Sequence, residues 1–185
     1  MKHSGIFLLL NAVFLFFQPF SAFTQVEFGN RLYFQNNLEQ ADDGFFANVS
    51  QGLGPVDLQF GSFARKRFST HFATRVEVNL TGGLYGFGSA AYYLLGASVI
   101  PEWQISSRFS IGAGLYQNVA IYDRFEYHPW KKSGVLLQAA TRYDSWEIQF
   151  RIQKSFPKYG ASQLAIGAGL AKYLWVKDKE KGGHF

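Results

Sequence analysis

The sequence predicts an all-β fold, an antiparallel up-and-down β-barrel of about eight strands whose apolar face meets a membrane. Three observations carry the prediction. Residues Trp146-Glu147-Ile148-Gln149-Phe150-Arg151-Ile152-Gln153 alternate strictly between large apolar side chains and charged or amide ones. That is the period of a strand with two opposed faces, and Glu147 and Arg151 cannot enter a dry core unless paired. Links between such stretches alternate between short turns and longer loops, the arrangement of an even-stranded barrel with all its short turns at one end. Aromatic residues of the apolar phase, Phe72, Trp103, Phe109, Tyr143, Trp146, Tyr173 and Trp175, collect at that end, as a girdle at a membrane-water interface does.

Composition sets the outer limits. The chain of 185 residues has room for one domain, and its 48% hydrophobic content is ordinary for a globular protein. The aromatic content, Phe 20, Tyr 10 and Trp 4, stands out, and such side chains suit strands and interfaces. Cysteine is absent, which excludes disulfides and thiolate chemistry. The formal charge of +5 does not point to nucleic acid, because Lys and Arg are scattered among acids and form no stripe.

Residues 1–24 read as a signal peptide. Lys2 and His3 precede the apolar run Ile6 to Phe17, Pro19-Phe20-Ser21 breaks it, and Ala22 and Thr24 put small residues where a signal peptidase reads. The run is shorter than the ~20 apolar residues of a membrane-spanning helix. The exported chain then begins at Gln25, with a barrel over 25–176 and a periplasmic tail over 177–185.

The first strand is Val26 to Gln35, with Val26, Phe28, Leu32 and Phe34 in one phase and Glu27, Gly29, Arg31, Tyr33 and Gln35 in the other. Asn36 to Pro55 is a polar connection with turn signals at Asp42-Asp43-Gly44 and Gly52-Leu53-Gly54-Pro55, and Phe45 to Val49 extends a hairpin arm from it. The second strand, Val56 to Arg65, sets Val56, Leu58 and Phe60 against Asp57, Gln59 and Arg65, and Lys66 to Ser69 turns into the third. There Phe72, Val76, Val78 and Leu80 alternate with His71, Arg75, Glu77 and Asn79. A loop from Thr81 to Ser89 leads to the fourth strand, where Tyr93, Leu95, Ala97, Val99 and Trp103 oppose Gly96, Ser98, Glu102 and Gln104. After the Ile105-Ser106 turn, the fifth strand spans Arg108 to Tyr122, and Asp123 to Lys132 is a charged aromatic loop. The sixth strand is Ser133 to Tyr143; Asp144-Ser145 turns into the seventh, and after Phe156 to Gly160 the eighth runs from Ser162 to Val176.

A soluble lipocalin-like barrel alternates in the same way with its faces exchanged. Two features favour the membrane arrangement. With the polar phase outward, Ser110, Gly112, Gly114, Ala165, Gly167, Gly169 and Ala171 would lie on water-facing strands, where glycine weakens a strand for no gain. Turned inward, they make room for Arg and Tyr side chains. The same phase balances its charges, Glu27, Asp57, Glu77, Glu102 and Glu147 against Arg31, Arg65, Arg75, Arg142 and Arg151, as a closed lumen network of ion pairs requires. Lys154 and Lys172 fall in the apolar phase near strand ends, where long side chains snorkel.

In this pattern and topology nearly all of the exported chain resembles the small eight-stranded outer-membrane barrels of Gram-negative bacteria, of the OmpA and OmpX type. The resemblance implies an outer-membrane location, lipid and lipopolysaccharide as surroundings, and loops free to bind an extracellular ligand. Such barrels end on an aromatic residue of the last strand, whereas here Trp175 is followed by Lys177 to Phe185; Trp175 is expected to close the strand and the remainder to be a solvated tail.

Some barrels of this size deacylate or acylate lipid A. The deacylases are similar to hydrolases built on His-x-Ser with a Glu partner, and neither His71-Phe72-Ala73 nor His128-Pro129-Trp130 fits. His71, at the periplasmic end, is expected in the lumen network. His128 shares its loop with Asp123 and Glu126, the candidate acid-base group, without a serine before Ser133. Asp42-Asp43 reads as a solvated turn rather than a calcium site. Gly112-Gly114 and Gly167-Gly169 lie inside strands, so no phosphate loop exists, and no cofactor or metal is expected. The leading expectation is a non-enzymatic barrel with a structural or surface-binding role. A lipid A-modifying enzyme is the alternative, and a narrow solute channel the third.

Overall fold

Eight strands close into one antiparallel barrel in chain order. The structure, a computed structural model, describes residues 25–38, 56–85, 89–123, 133–156 and 164–177. The strands are β1 (Gln25–Leu38), β2 (Val56–Arg67), β3 (Phe72–Tyr85), β4 (Ser89–Gln104), β5 (Phe109–Asp123), β6 (Ser133–Tyr143), β7 (Trp146–Ser155) and β8 (Leu164–Lys177). Closure comes from β1 and β8, paired from Val26↔Lys177 to Leu38↔Leu164, so the sheet keeps no open edge. Gln25 lies opposite Arg67 and Lys177 opposite Val26, which brings both ends of the barrel chain to the short-turn side.

One local design makes two of those turns. Phe68-Ser69-Thr70-His71-Phe72 and Ile105-Ser106-Ser107-Arg108-Phe109 share the order apolar, Ser, polar, basic, Phe. In the first, the Phe68 and Ser69 amides donate to the Phe72 carbonyl at 2.9 and 3.2 Å, and Ser69 Oγ accepts from the Phe72 amide at 3.0 Å. In the second, the Ile105 and Ser106 amides donate to the Phe109 carbonyl at 2.9 and 3.2 Å, and Ser106 Oγ accepts from the Phe109 amide at 3.1 Å. Serine competes for backbone partners in this way, which is why it ends a ladder. The third turn is Asp144-Ser145, with Asp144 in the left-handed region at φ 52°, which a short polar side chain tolerates.

Several boundaries differ from the sequence reading. Lys66 and Arg67 belong to β2, because its pairing with β3 continues to Arg67↔Ala73. The stretch from Thr81 to Ser89 is mostly paired hairpin, with Gly82 opposite Tyr93 and Tyr85 opposite Ser89. His71 is exposed in its turn rather than in the lumen, since it occupies the place that Arg108 takes in the matching turn. Tyr173 leaves the girdle. A register shift sets Phe28 opposite Trp175 and Gly29 opposite Tyr173, so Leu174 is an extra residue that inverts the parity of β8. Tyr173 keeps the inward parity of Gly169 and Ala171 and is 4% exposed, while the shift turns Trp175 outward, where it stacks on Phe28 with centroids 5.4 Å apart. The hairpin arm at 45–49, Asp42-Asp43 and the segments 1–24 and 178–185 lie outside the described residues.

The remaining girdle residues face outward at the turn end, Trp103, Tyr143, Trp146, Trp175 and Phe109 exposed and Phe72 partly covered. Above them the outer surface is a belt of Leu, Ile, Val and Phe, while Arg31, Arg75, Glu77 and Arg151 inside are at most 2% exposed. A closed barrel with hydrocarbon outside and charge inside is a transmembrane barrel: the sheet satisfies its own backbone, and the apolar belt is stable only against lipid. No helix of the described residues is long and apolar enough to cross a membrane, and the strands cross instead.

Candidate functional site

Among the described residues the charged and polar groups are concentrated in the lumen, and strand parity puts them there. At the turn end Glu27 of β1 gathers Arg65 (Nη1 to Oε2, 2.9 Å), Arg142 (Nη1 to Oε1, 2.7 Å) and, more loosely, Arg67 at 3.5 Å. Arg65 also meets Glu102 Oε2 through Nε at 2.5 Å and donates from Nη2 to Gln104 Oε1 at 2.9 Å.

The next section is centred on Arg75, which is fully buried. Its Nη2 lies 2.6 Å from Glu147 Oε1 and donates to the Tyr173 hydroxyl at 3.0 Å. Its Nε is 2.7 Å from Glu102 Oε1, a charge contact with the N–H directed off the oxygen. Tyr173 donates onward to Glu147 Oε2 at 2.7 Å, and the Arg142 guanidinium lies 3.7 Å above its ring. Phe63 completes this layer, with Arg75 stacked 4.6 Å over it and its ring edge-on to Tyr173. Gly29 is what admits Phe63, since a Cβ there would collide with its ring.

Above Arg75, Glu77 takes both Nη groups of Arg151, Arg31 Nη1 at 3.0 Å and the Ser98 hydroxyl at 2.8 Å. Arg151 Nε donates to Gln138 Oε1 at 2.7 Å, and Gln138 Nε2 donates to Glu102 Oε1 at 3.2 Å, which ties the two sections together. Arg31 Nε donates to Asn79 Oδ1 at 2.8 Å and Nη2 to Gln59 Oε1 at 3.2 Å; Gln59 Nε2 then donates to Gln35 Oε1 at 2.9 Å. The charged plug thus fills the turn side and the middle, and toward the loops follow the amides of Gln59 and Gln35 and the carboxylate of Asp57. Tyr33 stands between the Arg31 and Arg151 guanidiniums, with β8 glycines Gly167 and Gly169 against its ring.

Of the residues named from sequence, Glu27, Arg31, Arg65, Arg75, Glu77, Glu102, Arg142, Glu147 and Arg151 meet in this lumen. Asp57 is also buried there, nearer the loops, opposite Gln35 and Gly83. Asp123 ends β5 opposite Tyr92, and Glu126 and His128 lie outside the described residues. Sequence reasoning missed Arg67 and Tyr173 as members of the plug, and Phe63, Leu94, Ile100 and Leu136 as buried apolar residues within the barrel. The signal was parity: Phe63 lies two residues from Arg65, Ile100 two from Glu102, and Leu136 two from Gln138. Among the described residues no group of three or more His, Asp or Glu is placed to hold a metal ion.

Closed antiparallel sheet, apolar exterior and charged interior together define the class, an eight-stranded transmembrane β-barrel with the fold of the small outer-membrane barrels. No protein-family model matches the chain, and no curated protein matches it in sequence. Among solved structures it is similar to a de novo designed transmembrane β-barrel, at 13% identity over 84% of this chain and 98% of that one, TM-score 0.43. It is similar also to Ail, the attachment invasion locus protein of Yersinia pestis, at 14% identity over 82% and 99%, TM-score 0.44. The KdgM porin matches at 7% identity over 81% and 98%, TM-score 0.34.

Proposed function

We propose that this protein is an integral outer-membrane barrel that conducts no solute and acts as a structural or surface-binding element through its loop end. One observation supports this reading above the others. Arg75, Glu102, Glu147 and Tyr173 occupy the same section of the lumen at no more than 4% exposure each, bonded across it from different strands. An eight-stranded barrel has an interior just wide enough for side chains to fill, and these fill it. Opening a path would separate buried ion pairs, and removing one partner of such a pair costs about 3 to 5 kcal/mol. Export by residues 1–24 with a mature start at Gln25 belongs to the same proposal.

Planar bilayer recording of the purified barrel tests the reading. The native protein is expected to show no sustained open state. Arg75→Ala combined with Glu77→Ala is expected to raise ion leakage while the barrel still folds. Large, stable unitary steps from the native protein would replace this function with that of a channel.

A further inference from the structure

The outer face carries a feature that neither a sealed lumen nor a loop-end role uses. A groove of about 710 Å³ crosses the barrel exterior between two neighbouring rows of outward side chains. The lower row is Trp103, Ile111, Ala139 and Phe150, register partners on β4 to β7, and the upper is Ala113, Leu137 and Ile152, register partners on β5 to β7, with Pro101 of β4 also on the lining. Ala113 and Ala139 make the floor, and Trp103 and Phe150 stand up as walls. Its lining is almost wholly hydrocarbon, so in a membrane an acyl chain fits it and water does not.

Two rows nearer the turns lies a second, independent arrangement. Tyr143, Trp146 and Lys172 are successive register partners on β6, β7 and β8. Arg108, in the turn before β5, places its guanidinium 5.3 Å over the Tyr143 ring, and Lys172 places its ammonium 5.1 Å over the Trp146 ring. Two adjacent interfacial aromatics are thus bracketed by two cations. Trp and Tyr sit at headgroup depth, and exposed Lys and Arg there attract anionic lipid. From Tyr143 to the groove floor at Ala139 is four residues along β6, about 13 Å, with Thr141 between. That is the separation of a lipid headgroup from the body of its chains. The exposed Asp144 of the adjoining turn is the acid of this rim, and it disfavours a second anion beside the first.

We propose that this face binds one anionic phospholipid of the turn-side leaflet, its phosphate held between Arg108 and Lys172 across Tyr143 and Trp146 and an acyl chain laid in the groove over Ala139 and Ala113. The inference rests on the membrane reading of the outer face. Its occupant follows from charge complementarity at the rim together with a hydrocarbon groove behind it.

The experiment takes the barrel purified from membranes, stripped of lipid in detergent, and titrates it with phosphatidylglycerol or phosphatidylcholine under native mass spectrometry. A single retained phosphatidylglycerol, preferred roughly tenfold over phosphatidylcholine, is expected for two cations at a headgroup. Arg108→Ala with Lys172→Ala is expected to abolish that preference. Ala139→Phe, which fills the groove and touches no charge, is expected to weaken retention of both lipids and leave the preference intact. Heat-modified gel migration reports folding separately, and the native titration decides the matter even if a variant fails to fold. A folded native barrel that retains no lipid, retains both equally, or pairs with a second copy of itself through this face overturns the site. A protein that never enters membranes overturns the reading beneath it instead.

Discussion

The two faces of β7 obey opposite rules. Outward, Trp146, Ile148, Phe150 and Ile152 are 39 to 58% exposed; inward, Glu147, Gln149, Arg151 and Gln153 are at most 7% exposed. The polar residues are the covered ones, the reverse of a soluble sheet. What each face demands differs in kind. The outer face must be apolar, and one hydrocarbon side chain serves nearly as well as another. The inner face must supply a particular partner at a particular place, because each buried charge is stable only through its own contacts. Substitutions outside should therefore scale with polarity, and substitutions inside with the partners left behind.

The largest effect is expected inside, at Glu77. Its carboxylate serves Arg151, Arg31 and Ser98 at once, so Glu77→Ala leaves two guanidiniums buried without their counter-ion. The loss should be about 3 to 5 kcal/mol, read as a lowered urea midpoint in detergent micelles. A drop under about 1 kcal/mol would mean that the plug is hydrated and mobile, and would erase the contrast between the faces.

Next comes the outer face at Phe150, 58% exposed. Phe150→Arg puts a charge into hydrocarbon and should cost roughly 2 to 4 kcal/mol, while Phe150→Leu should insert and unfold nearly as the native chain does. Insertion into lipid vesicles, followed by gel migration, measures both. If Leu were as damaging as Arg, the outer face would require shape and not merely polarity.

The same contrast explains what the sequence discloses. Which face a residue takes is a local property, fixed by parity within its strand, and closure, strand order and the turn-side termini follow once alternation is seen eight times. Which carboxylate a given arginine meets is not local. Arg75 and Glu147 stand 72 positions apart, Arg142 and Glu27 115, and only the curvature of the closed sheet brings them together. Parity also fails silently where a strand gains a residue, as β8 does at Leu174. His71 was misplaced for a related reason: a turn that begins at Phe68, not Lys66, removes it from the alternating run.

The smallest of these effects discriminates best, because it sets one residue type on both faces. Tyr173 is inward, its hydroxyl donating to Glu147 Oε2 at 2.7 Å and accepting from Arg75 Nη2 at 3.0 Å. Tyr143 is outward and 57% exposed at the turn-side rim. Tyr173→Phe removes a hydrogen bond to a buried charge, yet Glu147 keeps Arg75 at 2.6 Å and Gln149 at 2.7 Å on its other oxygen. The carboxylate is weakened rather than orphaned, so the cost should fall near the low end for bonds to charged groups, about 1.5 kcal/mol. Tyr143→Phe keeps the ring and exchanges its hydroxyl for contact with headgroups, and should change stability by less than about 0.5 kcal/mol. Urea unfolding of the two variants in the same micelles makes the comparison. Equal losses would return Tyr173 to the girdle and place the register shift of β8 elsewhere than at Leu174.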